Sequence, residues 1–190
     1  MTVINNHLTS RFGSTPIFGG PQPFVQAGEA EREAQVLALH EVVRSLLDRG
    51  TDRRRPFDRP GVIVLGDLNT FEWTDDLATI LPRGEAGDRP ILFNLIDTIK
   101  AKKTPPSHRF GNDRRGTPTA GGNDAYTFIF DGNSQNLDHF FVTADLKWQA
   151  DFDVVHVNVD FPRIDDSVGS DHEPLLARIK LKGPRQISTR

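Results

Sequence analysis

Val62-Ile63-Val64-Leu65-Gly66-Asp67-Leu68-Asn69 is the stretch whose reading decides the fold. Four apolar residues, three of them β-branched, follow the turn signal Pro60-Gly61, so the run predicts a buried strand. Asp67 and Asn69 then sit where that strand gives way to a loop, and in open α/β sheets ligands bind at the carboxyl ends of strands. A period of two puts both side chains on one strand face. There the carboxylate can position or deprotonate a water, and the amide can donate to an anion. The same two residue types also serve as turn residues that cap a strand.

Upstream, Thr2 to Leu8 reads as a strand ending at His7, followed by a glycine- and proline-rich loop from Arg11 to Gly28. A helix is predicted from Gly28 to Arg49, because Val36, Leu39, Val43, Leu46 and Leu47 recur on one face. Glu29, Glu31 and Glu33 load its first turns, Arg44 and Arg49 its last, and Gly50 can cap it. His40 falls outside the stripe and reads as a surface residue. Downstream come an arginine-rich link (52–59), a short helix at Asp75–Leu81, and a segment at Pro90–Ile99 whose pattern suits helix or strand. Lys100 to Asp124 reads as a surface loop whose Lys100, Lys102, Lys103, Arg109, Arg114 and Arg115 could neutralise backbone phosphates. A hairpin is expected from Tyr126–Phe130 through Asp131-Gly132-Asn133 to Leu137–Thr143. Phe152 to Phe161 alternates, with Val155, Val157, Val159 and Phe161 on one face and His156, Asn158 and Asp160 on the other. The last strand runs from Leu175 to Leu181, and 183–190 should fray. This element order points to an α/β layered sandwich.

Just before the last strand stands Ser170-Asp171-His172-Glu173-Pro174, which pairs a carboxylate with an imidazole. Asp offers a hard oxygen to a divalent cation, and His can carry a proton near neutral pH. In the Leu137–Thr143 strand, alternation puts Asp138 with Phe140 and Val142, and His139 with Leu137 and Phe141. The two neighbours cannot share one site, so Asp138 is assigned to the site and His139 to a structural hydrogen bond. Trp73, close to the Asp67 loop, suits either core packing or stacking on a base or sugar.

The chain has 190 residues, 36% hydrophobic and 26% charged, which suits one globular domain. With no cysteine it has no disulfide, thiolate nucleophile or cysteine-based zinc site. A net charge of −3 argues against a uniformly basic surface. No run approaches the roughly 20 apolar residues of a membrane helix, and Thr2-Val3-Ile4-Asn5 turns polar too soon for a signal peptide.

Taken in order, Asn6-His7-Leu8, Gly66-Asp67-Leu68-Asn69, Leu137-Asp138-His139 and Ser170-Asp171-His172 resemble the motifs of the endonuclease/exonuclease/phosphatase family, the deoxyribonuclease I-like phosphoesterases. Leu65 to Trp73 and Phe130 to His139 are more similar to the secreted bacterial nucleases within it. The resemblance implies part of a two-sheet, four-layer α/β sandwich, a mixed sheet with outer helices. It also implies a phosphodiesterase, most simply a DNA nuclease, that uses Mg²⁺ (or Ca²⁺ or Mn²⁺) and works outside the cell. Phosphatase, phospholipid esterase, or a half-domain that binds phosphate without turnover are the alternatives.

By that resemblance Asp171 is a metal ligand, and His172, oriented by Asp138, is the general base or a phosphate ligand. Asp67 handles the water, Asn69 donates to a phosphate oxygen, and His7 contacts phosphate or acts as the leaving-group acid. Asn6, inside its matched string, is the assigned phosphate contact, although no spacing argument separates it from Asn5. Trp73, read from its place beside the Asp67 loop rather than from the resemblance, completes the substrate-binding set if it stacks and does not pack in the core. In the family an Asn and a Glu precede the motif that here begins at Asn6, so residues 1–182 are expected to be a C-terminal portion of the domain. A chain so bounded is expected to self-associate or to pair with a complementing N-terminal segment.

Overall fold

The computed structural model describes residues 1–49, 61–84, 89–101, 125–159 and 169–181. Gly50, the arginine-rich link, the basic loop beyond residue 101, the end of the Phe152–Phe161 run and the tail lie outside the described residues.

Strand β1 (Thr2–His7) leads through a loop into helix α1 (Glu29–Arg49), which returns to strand β2 (Val62–Asp67). A π-helical turn (Asp76–Ile80) follows, then the two-residue strand β3 (Phe93–Asn94) and helix α2 (Ile96–Ala101). Pro90–Ile99, ambiguous by pattern, is thus strand first and helix second. The remaining elements are β4 (Phe128–Phe130), β5 (Asn133–Gln135), β6 (Asp138–Val142), the single-turn α3 (Ala144–Lys147), β7 (Ala150–Val154) and β8 (Leu175–Ile179).

One mixed sheet carries the site, in the order β1-β2-β6-β3. β1 and β2 are parallel, as the helical crossover between them requires. β6 lies antiparallel to β2. Register matters here: His7 is level with Asp67, and Asp67 with Asp138. Both sheet faces are covered. On one, Val36, Leu39, Val43 and Leu47 of α1 pack on Val62, Val64 and Phe141. On the other, Ile63 and Val142 meet Phe152 and Val154 of β7, with Leu175, Ala177 and Ile179 of β8 alongside. Fully burying such a side chain contributes roughly 1.5–3 kcal/mol, so these layers hold the strand ends in place.

Three expectations are corrected. The hairpin closes on β5, not on Leu137–Thr143. Asp131 and Gly132 both have positive φ (45° and 76°), the signature of a two-residue turn that pairs its immediate neighbours. The more apolar β6 is left free to enter the main sheet. The strand read at Phe152–Phe161 begins at Ala150 and ends at Val154, and it buries Phe152 and Val154. Beyond it the chain peels away, so Val157, expected on the buried face, is 51% exposed. His40 is fully buried, its Nδ1 against the Leu81 carbonyl at 3.1 Å, on the same helix face as Val36, Val43 and Leu47.

Candidate active site

Three adjacent strands deliver three side chains to one end of the sheet, and a turn adds a fourth. His7 ends β1, Asp67 ends β2, and Asp138 begins β6. His172 comes from the turn before β8, whose conformation is set partly by the His172 N–H donating to Ser170 Oγ. β1 can approach β2 this closely because residue 66 is glycine with φ +122°; a Cβ there would run into the Asn6 carbonyl oxygen and the Asn5 side chain.

The His172 Nδ1–H donates to Asp138 Oδ2 at 2.6 Å. On the other side of its ring, Nε2 lies 3.9 Å from Asp67 Oδ2, and His7 Nε2 approaches the same oxygen at 3.5 Å. One carboxylate oxygen of Asp67 is thus flanked by two imidazoles. Ligand atoms of Asp67, Asp138 and His172 all lie within 4.8 Å of one another, the cluster of metal-ligand type found among the described residues. A cleft of about 340 Å³ opens beside them, lined by Leu65, Gly66, Asp138, Phe140, Asn158 and His172 among others.

The electrostatics pull the two key groups the same way. Burial, and then the charge of Asp138, raise the Asp67 pKa above the ordinary carboxylate value, against the opposing Asn69 N–H and the two imidazoles. The hydrogen bond to Asp138 raises the His172 pKa; burial opposes it, and the charges of Asp138, Asp67 and Asp171 add to it. Asp67 is therefore a stronger base than a free carboxylate, and His172 keeps its proton to higher pH than a free imidazole.

The other assigned residues fall out as follows. Asn69 lies beyond the strand with φ 50°, so no shared strand face relates it to Asp67. Instead its backbone N–H donates to Asp67 Oδ1 (2.9 Å) and its Nδ2 to Asp67 Oδ2 and the Leu8 carbonyl (3.2 Å each). It clamps Asp67 in an Asx turn. Asp171 is exposed, outside the three-ligand cluster, and acts on His172 through its charge. Asn6 shares the helix-facing side of β1 with Ile4, and its Nδ2 donates to the Ile4 carbonyl (3.3 Å). Asn5 is the asparagine on the His7 face. Trp73 does not pack in the core: it is 56% exposed, flat against the buried Phe71. His139 is fully buried in the structural role expected of it. Nε2–H donates to the Thr70 carbonyl at 2.9 Å, and Nδ1 accepts from Asn94 Nδ2 at 3.0 Å.

Glu173 had no assigned role, although it stands inside the Ser170–Pro174 string. Its buried carboxylate accepts from three consecutive backbone N–H groups, Val157 and Asn158 at 2.8 Å and Val159 at 2.9 Å. Asn158 Nδ2 in turn donates to the His172 carbonyl at 2.6 Å. The Glu173 N–H donates to the Thr127 carbonyl (2.7 Å), while Thr127 Oγ1 accepts from the N–H groups of Leu137 and Asp138. Thr127 and Glu173 thus lock the loop that supplies His172 to the strand that supplies Asp138. A polar residue flanking the motif was the available signal.

No family model and no curated protein matches the chain. Solved structures do. A truncated TDP2 from Caenorhabditis elegans superposes with a TM-score of 0.52 at 16% identity, over 93% of this chain and 53% of that one. Its fold is deoxyribonuclease I-like. A selenomethionine TDP2 from the same organism gives 0.52 and 16%, over 93% and 40%. A mannosyl-6-phosphatase of Bacteroides thetaiotaomicron gives 0.47 and 17%, over 82% and 48%. The chain spans about half the length of that truncated TDP2. Within this deoxyribonuclease I-like fold, the sandwich layering expected from the sequence is the layering observed: an outer helix, a mixed sheet, and further strands beneath it.

Proposed function

We propose that this site hydrolyses phosphoester bonds with a divalent cation, and that its substrate is nucleic acid, DNA in the first instance. The observation that carries the reading is the closed dyad of Asp138 and His172 (2.6 Å), set against an Asp67 of raised pKa. Phosphodiester hydrolysis needs a base for the water and positive charge at the phosphate. Asp67, the half-buried carboxylate, takes a proton from the attacking water. The water oxygen bonds to phosphorus as the ester P–O bond breaks, and the leaving oxygen takes a proton from the exposed His7. His172, its Nδ1–H held by Asp138, turns Nε2–H to a non-bridging oxygen. As an imidazolium it meets the developing charge, while the Asp138 carboxylate stabilises that cation as the acid of a triad does.

The donor set suits a hard cation of the Mg²⁺, Ca²⁺ or Mn²⁺ kind, because the carboxylates of Asp67 and Asp138 face each other and the charge of Asp138 adds to the burial that raises Asp67. Asp171 would hold it at the rim, leaving Asp67 free to act on the water, and the cation would supply charge neutralisation at the phosphate. An extracellular setting is part of the same proposal and rests on the sequence resemblance.

The test uses the protein at its full genomic length, with plasmid DNA and a phosphomonoester side by side. Mg²⁺-dependent nicking that chelation abolishes, and that His172→Ala and Asp67→Asn each lower about 10²- to 10⁴-fold, is expected. Cleavage that survives His172→Ala unchanged would overturn the assignment. Exclusive turnover of the phosphomonoester would replace nuclease by phosphatase.

A further inference from the structure

Two loops leave the site end of the sheet side by side. β1 ends at His7 and its loop reaches Arg11; β2 ends at Asp67 and its loop reaches Phe71 and Trp73. The loops meet in a three-layer stack. The Arg11 guanidinium lies 4.2 Å from the Phe71 ring centroid, and Trp73 lies on Phe71 at 5.0 Å with the planes 8° apart. Phe71 is 2% exposed and anchors the stack in the fold, whereas Trp73 is 56% exposed. Phe71 covers one indole face, and over half of the Trp73 surface is open to solvent.

An indole is among the largest apolar groups a protein can bury, so a flat, half-open one in the loop that follows Asp67 calls for a reason. Trp148 is a useful contrast. It is 83% exposed, its one ring contact among the described residues is Lys147 (5.3 Å), and it follows α3, beyond the end of β6 opposite Asp138. Trp73, by contrast, lies six residues past the base of the site and is held flat by a buried ring with a cation behind it. Flat, fixed aromatic planes take nucleobases, because every base offers a π-face whatever its sequence.

We propose that Trp73 is the base-stacking residue of this site, so that the preferred substrate carries a nucleobase beside the scissile phosphate. The proposal rests on the phosphoester reading and deepens it. Arg11 and Phe71 are positioning residues that hold the indole. Thymidine 5′-phosphate engages both the phosphate group and the ring, whereas ribose 5-phosphate engages the phosphate group alone.

The test uses the Trp148→Phe protein, in which Trp73 is the remaining one of the two tryptophans and its fluorescence reports the site. Thymidine 5′-phosphate should quench the indole and bind about five- to a hundred-fold more tightly than ribose 5-phosphate. Replacing Trp73 by Ala, followed by calorimetry, should erase that preference and leave ribose 5-phosphate binding as it was. His172→Ala should weaken both ligands alike. An unquenched indole, or a base preference that persists in Trp73→Ala, overturns the stacking proposal. Ribose 5-phosphate binding that is sensitive to His172 would in that case still leave the phosphoester site standing.

Discussion

His172 is governed by one oxygen of Asp138. Because that hydrogen bond is the largest cause of its raised pKa, Asp138→Asn should move the alkaline limb of the pH–rate profile to lower pH. The imidazolium needed at the phosphate would then be lost sooner as pH rises. The acidic limb, set by Asp67, should move to lower pH too, since the charge of Asp138 helps raise the Asp67 pKa. A profile that keeps both limbs in place would remove Asp138 from the mechanism. Asp67 carries a stability prediction of opposite sign to its catalytic one. A carboxyl whose folded-state pKa is raised destabilises the fold as pH climbs from its ordinary value of 3.8 through the raised one, because the folded state is then made to hold a charge it disfavours. Asp67→Asn should therefore lower hydrolysis steeply yet raise Tm at neutral pH, by about 1–3 °C for a chain of this size. A fall in Tm would mean that the Asn69 clamp outweighs the charge strain. At this scale the sequence was most legible where chemistry and spacing agree: His7, Asp67, Asp138 and His172 converge. Asn5 and Asn6 were inseparable because the choice depends on which face of β1 meets α1, a tertiary fact. Glu173 was illegible because its three partners are backbone N–H groups, which carry no residue-specific signal.

The elements that aim these side chains are β2 and the loop after β7. Gly66 is the one position in β2 where a Cβ meets neighbouring backbone, and its φ of +122° disfavours any other residue. Gly66→Ala should cost about 1–3 kcal/mol and lower activity through displaced strand ends; unchanged thermal and kinetic behaviour would contradict the described register. In the loop, Glu173→Ala would strand three backbone N–H groups now bonded to one carboxylate. At about 1–3 kcal/mol for a buried unsatisfied group, with water reaching part of the loop, a loss of about 3 kcal/mol is expected by chemical denaturation. The helix and the central strand were readable from periodicity alone. The hairpin was misread because β5, the polar run Asn133-Ser134-Gln135, carries no apolar strand pattern, while the apolar β6 that follows pairs in a sheet elsewhere. The strand at Ala150–Val154 was misread because Val155, Val157 and Val159 keep alternating after Glu173 has pulled the backbone out of the sheet.

In the whole molecule, α1 and the β7–β8 pair cover the two faces of the main sheet unevenly. Val3 on β1 is 53% exposed and Leu176 on β8 is 58% exposed. Among the described residues β1 pairs on one side only, with β2, and open edges invite association. The chain studied alone should therefore self-associate at micromolar concentration on size-exclusion chromatography, and Val3→Lys should weaken that association; a strictly monomeric profile would mean that this edge is closed. The layer architecture and the end of the sheet that carries the site could be read from the sequence. The cover on each face could not, because alternation reports a buried face without naming what buries it.

The measurement that bears most directly on the account is an NMR titration of the ring nitrogens of His172, in the native protein and in Asp138→Asn. The account predicts a protonated Nδ1 bonded to Asp138, an imidazole that loses its proton at higher pH than a free histidine, and a clear fall of that pKa in the variant. An imidazole that titrates as a free histidine would, unchanged by Asp138→Asn, contradict the dyad and the mechanism built on it.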